Sequence, residues 1–543
     1  MIQRNMSLTG DASNVLNVTQ RIGTAIGLGG LFILFLPAFN VSLQPQGLWL
    51  TIGLVAIAIG IYLFTKGAYQ GKLDGIKNHG VFIKSISSRG FWGWIAGISL
   101  TGFYILLYFK PELLGLGQAA DGTNKGLVGL FDPLSQLLAG RDASQWFVYG
   151  VLYTLAIFAF GYKFMMKYRH NRYQQLRTGS VMFFQLGFAF LIPEFMYRLN
   201  EDVPYYNLAN MWPLNYYNFD QYRINDFLSI GESNTGYIGI GLLVFGILST
   251  FIISPFLTYK YGKRWYCSWV CGCGGLAETA GDSFRQLSSK KMSAWKIERW
   301  LIHLVLVFSV IMTIGVVSSY LKAGYWIEVD GEKVQRFYAL SNEVFLIASG
   351  LFLTLIFAGV MLFKRNELGK DARYGAIGYA IIIITLVVIH ITGTTEEIFF
   401  IKSGTLRSSY GVYIGSIFSG VVGTGFYPIL GNRAWCRFGC PMAAILGFQQ
   451  RMFSKFRITT NGGQCISCGN CSTYCEMGID VRAYAQKGEN IVRSSCVGCG
   501  VCSAVCPRGV LKLENGSLDG RINPTDVLLG NDVDLMNFVN SKK

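Results

Sequence analysis

Charge is scarce in this chain: 14% of its 543 residues are Asp, Glu, Lys or Arg, against about a quarter in a soluble protein. Proline numbers 12 and histidine only four, and no cysteine precedes Cys267; all 13 cysteines lie between Cys267 and Cys506. The low charge excludes a purely soluble enzyme. The confinement of cysteine to one region excludes a disulfide scaffold spread through a secreted fold. Nucleophile–base pairs, phosphate-binding glycine loops and zinc-hydrolase motifs are also missing.

What fills the space is apolar: 51% hydrophobic residues, 15% of the total aromatic. A membrane span needs about 20 mostly apolar residues, and ten stretches qualify: 22–40, 48–65, 91–109, 146–165, 179–196, 236–258, 300–320, 344–363, 375–392 and 410–430. The first follows Arg21 and reads as a span, not a cleavable signal. Loops 66–90, 166–178, 259–299 and 364–374 hold 21 Lys and Arg, against 10 in the alternate set, which is longer. The positive-inside rule therefore places both termini in the cytoplasm. Topology and anionic lipid account for the net charge of +16, and nucleic acid is not needed as a partner.

Beyond the tenth span the chain changes character. Cys465, Cys468, Cys471 and Cys475 form one C-x2-C-x2-C-x3-C run, and Cys496, Cys499, Cys502 and Cys506, followed by Pro507, form a second. This is the spacing of bacterial two-cluster ferredoxins, in which the fourth Cys of each run serves the other [4Fe–4S] cluster. One set is then Cys465, Cys468, Cys471 and Cys506; the other is Cys496, Cys499, Cys502 and Cys475. Small residues (Gly469, Gly498, Gly500) let backbone amides approach. Structural zinc would more often show separated C-x2-C pairs. Cys475 is followed by Glu476 where the pattern carries Pro, a change that leaves ligation possible and shifts a potential slightly.

The remaining five cysteines sit at span ends. Gly262-Lys-Arg264-Trp-Tyr266-Cys267-Ser-Trp269-Val-Cys271 follows the sixth span, and Gly431-Asn-Arg433-Ala-Trp435-Cys436-Arg-Phe438-Gly-Cys440 follows the tenth. The two share glycine, arginine, both aromatics and both cysteines, and so form an internal repeat. On a helix, residues i and i+4 share a face. Cys267, Cys271, Cys436 and Cys440 would thus present four thiols for a third centre, with Cys273 as spare or alternative ligand. Buried, reduced structural cysteines are the other reading. Lys260, Lys263, Arg264 and Arg433 flank the pairs, placed either to offset cluster charge or to meet lipid headgroups.

These motifs resemble the membrane polyferredoxin family of NapH and NosR type, over residues 236–510. The resemblance implies C-x3-C-P motifs at cytoplasmic span ends, a two-cluster ferredoxin domain, and electron passage between a cytoplasmic donor or the quinone pool and a respiratory partner, in a bacterial inner membrane. Two departures stand out. Gly272 replaces the proline of the first motif, and no outer loop is long enough for the periplasmic flavin-binding domain of the NosR branch.

Flavin is therefore not supported. Haem is little better served: His303 and His390 lie in spans but near opposite faces, so they cannot share one haem, although single-His ligation at either stays open, while His79 and His170 fall in inner loops. The Tyr- and Trp-rich outer loop 197–235 reads as an interfacial aromatic belt, with a quinone-site lid or docking surface as the sharper alternative. Glu194 and Arg198 are spaced as an i,i+4 helical pair.

The expected fold is an all-α polytopic membrane bundle of about ten helices with a small α+β ferredoxin-like domain near the C-terminus. The segments are a six-span region (1–258), an inner loop with the first motif (259–299), four spans ending in the second motif (300–442), the two-cluster domain (443–515) and a tail (516–543). The expected function is membrane-bound iron–sulfur electron transfer, as a component of a larger respiratory assembly. An assembly factor that reduces metal for a partner oxidase, and a redox sensor, are the rivals.

Overall fold

The computed structural model describes residues 16–39, 41–70, 84–118, 122–199, 205–228, 230, 236–329, 332–363, 369–392, 397–398, 401–461, 464–515, 528–529 and 533–534. Long apolar runs without interior polar groups can satisfy their backbone only as helices, and helices dominate. Among the described residues, eight are long and apolar enough to cross a membrane: α1 (Val18–Phe39), α2 (Gln46–Tyr69), α3 (Phe91–Phe109), α4 (Gln145–Lys167), α5 (Arg172–Leu199), α6 (Tyr237–Tyr261), α9 (Met292–Ala323) and α10 (Asn342–Phe363). Between α6 and α9 lie two short helices, α7 (Trp265–Trp269) and α8 (Gly272–Thr279).

The ninth and tenth expected spans are weaker. Helix α11 (Lys370–Ile391) has an apolar portion of only Arg373–Ile389, because Lys370, Asp371 and Arg373 occupy its first turn. The tenth runs through Ser403–Ser409, a glycine-rich π-helical segment Tyr410–Gly425, and Tyr427–Leu430. His79 and the side chain of His390 lie outside the described residues, as does most of the tail.

Close helix packing follows from small residues. A side chain at Gly60 of α2 would collide with the backbone of Gly27 and Gly23 on α1, so glycine there sets the approach of the first two spans. Asn17 caps α1 and also donates to the Gly67 carbonyl at 2.8 Å. In contrast, α10 has no fully buried residue and meets the bundle at partly exposed contacts, such as Phe352 against Phe251 of α6, ring centroids 5.2 Å apart.

Loop 205–219 departs from the aromatic-belt expectation. Tyr206, Met211 and Asn218 are buried. The hydroxyl of Thr250, midway along α6, donates to the Trp212 carbonyl at 3.0 Å, and Trp212 Nε1 donates to Thr313 of α9 at 3.2 Å. These bonds tie the loop into the bundle at Trp212. Glu194 and Arg198 also pair otherwise than their spacing suggests. Glu194 is buried and meets Arg141 at 3.5 Å, while Arg198 donates to the Leu137 carbonyl.

The cysteine-rich segment is small and mixed. Helix α12 (Pro441–Phe453) leads into strand β3 (Phe456–Thr460), which pairs antiparallel with β4 (Leu511–Asn515) in the register Phe456↔Asn515 to Thr460↔Leu511. A separate hairpin, β1 (Tyr325–Val329) and β2 (Glu332–Arg336), precedes α10. Short helices at Asn470–Thr473 and Val501–Ala504 carry the third Cys of each run. Each is preceded by a glycine in the left-handed region, Gly469 at φ +79° and Gly500 at φ +69°, a conformation that costs other residues strain.

Candidate iron–sulfur centres

The fold gathers twelve of the 13 cysteines into three groups of four. Cys465, Cys468, Cys471 and Cys506 line one small cavity, together with Pro507 and Arg508. Cys506 comes from the second run, so the chain crosses over between the two halves. Cys502 lies with Cys499, Cys496 and Cys475, the reciprocal arrangement. The backbone amide of Ile479 points at Cys475 Sγ, 3.4 Å away, the kind of donor that favours a thiolate.

Burial pushes the Cys471 thiol up to about 12 and the Cys475 thiol up to about 11. Such thiols stay protonated in an empty cage, and a bound cation reverses the balance by displacing the protons. Among the described residues no three His, Cys, Asp or Glu converge to hold a single metal ion. In the first group the four thiols surround one cavity, and four thiolates at this spacing fit a multinuclear iron–sulfide group.

The third group is Cys267, Cys271, Cys436 and Cys440, all buried and mutually close enough to oppose one another's ionisation. The local geometry corrects the expectation of i,i+4 pairs on a helix face. Cys267 lies in the short α7 and Cys436 in the single turn Trp435–Gly439, but Cys271 and Cys440 are extended residues at helix breaks. Each breaks its helix in the same way. The Cys271 amide bonds the Tyr266 carbonyl at 2.9 Å, the Cys440 amide bonds the Trp435 carbonyl at 3.0 Å, and each residue then caps the next helix, α8 or α12. Gly262 at φ +72° and Gly431 at φ +91° turn the chain into the two halves.

Gly272, the residue that replaces proline, starts α8 as Pro441 starts α12, so the half-site geometry is kept. A Cβ at Gly272 would run into Gln185 Oε1 and lie 3.2 Å from Tyr153; crowding by α4 and α5 explains the glycine. Cys273 is exposed, yet its side chain hydrogen-bonds to Cys271 at the edge of the foursome. His303 faces outward, its Nδ1 bonded to the Arg299 carbonyl at 2.6 Å.

Of the basic residues that flank the repeat, Lys263, Arg264 and Arg433 are buried, whereas Lys260 is exposed beside the Tyr261 ring. Lys263 donates to the Ile491 carbonyl at 2.9 Å, and Arg264 to Ser494 at 2.9 Å and to Cys436 at 3.2 Å. Arg433 donates to the Cys267 carbonyl at 3.3 Å and points Nη1 at Cys436 Sγ, 3.9 Å away.

Sequence reasoning missed the ionic cluster that surrounds these arginines. Glu278 pairs with Arg177, Arg285 and Arg433; Asp282 pairs with Lys167 and Arg285; Glu476 pairs with Arg285 and Arg433. All seven side chains are buried. Burial alone would raise the Asp282 carboxyl, but Lys167 and Arg285 outweigh it and hold it below the ordinary range. The available signal was Glu278 and Asp282, four residues apart in a segment where acids are few.

Comparison with known proteins agrees on the chemistry. A 4Fe-4S dicluster domain model matches residues 457–507. A 4Fe-4S binding domain model matches twice, at 243–293 and 413–459, so each copy contains one C-x3-C motif of the repeat. YccM of Escherichia coli (strain K12), a protein named for electron transport, is 40% identical over 50 residues, 9% of this chain and 14% of YccM. The chain thus aligns with only a small part of that relative's length. No solved structure matches. The chain combines 4Fe-4S binding domains with long apolar helices of membrane-spanning length.

Proposed function

We propose that the chain is a ten-span conduit for electrons in a bacterial inner membrane, with both termini and the ferredoxin domain in the cytoplasm. Two [4Fe–4S] centres would be held by the ferredoxin cysteines and a third by Cys267, Cys271, Cys436 and Cys440. Bound there, the centres supply one-electron carriers whose potentials the surrounding protein sets.

One observation carries this reading: the Ser268 hydroxyl donates to the Val497 carbonyl at 2.6 Å. Ser268 adjoins Cys267, and Val497 adjoins Cys496, so a single hydrogen bond joins the repeat foursome to the second ferredoxin foursome. Tyr173 and Gln174 hold the same loop through the carbonyls of Gly498 (2.9 Å) and Cys499 (2.6 Å). The first foursome, with Cys468 exposed, lies where a soluble redox partner could approach. The chain's own part is to bind, order and dry these sites.

About 30 Å of hydrocarbon separates the two membrane faces, yet the repeat foursome is met from the outer-loop side. Tyr266, next to Cys267, donates to the Ala209 carbonyl at 2.6 Å, and Met211 packs in the same core. A run of rings, Trp146, Tyr108, Tyr104, Tyr149 and Tyr153, descends with centroids 5.0, 5.5, 6.5 and 5.5 Å apart to Gly272 beside Cys271. These features support reaction with membrane quinone near the repeat, within a respiratory complex.

Iron and acid-labile sulfide on anaerobically purified protein, with EPR during reductive titration, test the reading. Three cubanes require about 12 iron per chain and two about 8, at four per cluster. About 12, with one signal lost in Cys436→Ser and two retained, supports the conduit. About 8, or unchanged quinone reduction in that variant, sinks the third centre and favours an assembly factor.

A further inference from the structure

Glu476 occupies the position where two-cluster ferredoxin runs carry proline, and it is completely buried. A buried carboxylate is expensive unless it is paired. Glu476 is paired twice, with Arg433 at 3.0 Å and Arg285 at 2.9 Å, and it accepts a hydrogen bond from Asn432 at 3.2 Å. Asn432 and Arg433 belong to the second repeat motif, and Asn432 is itself anchored to the Ala277 carbonyl on α8, at 2.7 Å. Proline could make none of these contacts.

The position of this carboxylate is what gives it a task. It follows Cys475 directly in the chain and holds the guanidinium that reaches both Cys436 Sγ and the Cys267 carbonyl. The path Cys475–Glu476–Arg433–Cys436 therefore links two cysteine foursomes through one ion pair. An N–H directed at a ligating sulfur stabilises added negative charge there and raises a reduction potential, and a nearby carboxylate does the reverse.

We propose that the Glu476 carboxylate offsets the charge of the Arg433 guanidinium facing Cys436 and so holds down the reduction potential of the centre held at the repeat. The inference rests on the reading above that this foursome binds such a centre. Arg285 is the second clamp. It is held in turn by Asp282 at 2.8 Å, so Glu476 is the point where the ferredoxin domain and the membrane-edge helices share one charge network. The two partners of the pair should act with opposite signs.

The test is an EPR-monitored redox titration of purified full-length protein and two variants. Glu476→Gln keeps the shape and the Asn432 bond but removes the charge. The expected result is an upward shift of the repeat centre of at least tenfold in its reduction equilibrium, ~59 mV for one electron, with the Cys465 foursome unmoved. Arg433→Lys keeps the charge but loses the fork, and the expected shift of the repeat centre is downward. Loss of the repeat signal alone in both variants, the other two signals intact, would make the pair a structural clamp for that centre and overturn the tuning role. An unmoved repeat potential at full iron content, shifts of the same sign, or loss of all three signals together would overturn it and leave the network a structural brace. A third signal missing from the unsubstituted protein would instead refute the underlying assignment, a result separable from all of these.

Discussion

Arg264 donates from Nη1 to the carbonyl oxygen of Cys436 at 3.2 Å, and its counterpart Arg433 donates to the carbonyl of Cys267 at 3.3 Å. The two halves of the repeat thus exchange equivalent arginines, each half bracing the other's first cysteine. Arg264 makes a second bond with Nε, to Ser494 at 2.9 Å, which a lysine cannot make at the same time. Arg264→Lys is therefore expected to loosen the repeat foursome while leaving the ferredoxin groups filled. Iron should fall from about 12 towards about 8 per chain, measured with sulfide on anaerobic protein.

The crossover of the ferredoxin runs gives a sharper expectation. Cys506 shares a cavity with Cys465, Cys468 and Cys471, whereas Cys475 lies with Cys496 and Cys502. Cys506→Ser should then abolish the signal of the outer group, and Cys475→Ser that of the inner group beside Ser268. Paired EPR spectra of the two variants check this. If each variant damaged the centre of its own run, the crossed assignment would be wrong.

The cysteine groups were legible because their information is local. Both C-x2-C-x2-C-x3-C runs and both C-x3-C motifs can be read over a dozen residues, as can the eight long apolar helices. The rest depends on distant chain segments. Glu476 reads as an oddity until Arg285 and Arg433 close on it, and Lys263 and Arg264 look like headgroup contacts until Ile491 and Ser494 arrive from the ferredoxin domain. Loop 205–219 has the composition of an interfacial belt, and only Thr250 and Thr313 on two spans reveal that it turns inward. Helical spacing also misled at Cys271 and Cys440, where the Tyr266 and Trp435 carbonyls end the turn early.

The buried pair of Lys167 and Asp282, 2.7 Å apart, predicts a pH dependence of stability. Asp282 titrates below its unfolded value of about 3.9, so its contribution is complete above that pH and disappears as pH falls through the lower folded value. Asp282→Asn leaves Lys167 buried with its charge uncompensated, at a cost of about 3–5 kcal/mol. Unfolding of detergent-solubilised protein at neutral pH should show that gap. The gap should narrow once the pH drops below about 4, and a gap independent of pH would mean that Asp282 is not ionised in the fold.

Gly272 turns a departure from the family pattern into a test of the packing around it. Restoring the C-x3-C-P motif with Gly272→Pro would be neutral if that half-site were as open as the one before Pro441. The structure predicts otherwise. The added ring enters space held by Gln185 Oε1 and Tyr153, and Gln185 is fixed by its bond to Thr154 at 3.2 Å. Overpacking of this kind costs about 1–3 kcal/mol, and here it falls on the residue next to Cys271. The substitution should lower thermal stability and make iron at the repeat more easily removed by a chelator, with the ferredoxin signals retained. Gln185→Ala in the same chain removes the obstructing amide and should recover part of both losses. Failure of that rescue would move the cause from side-chain crowding to the backbone of the motif itself.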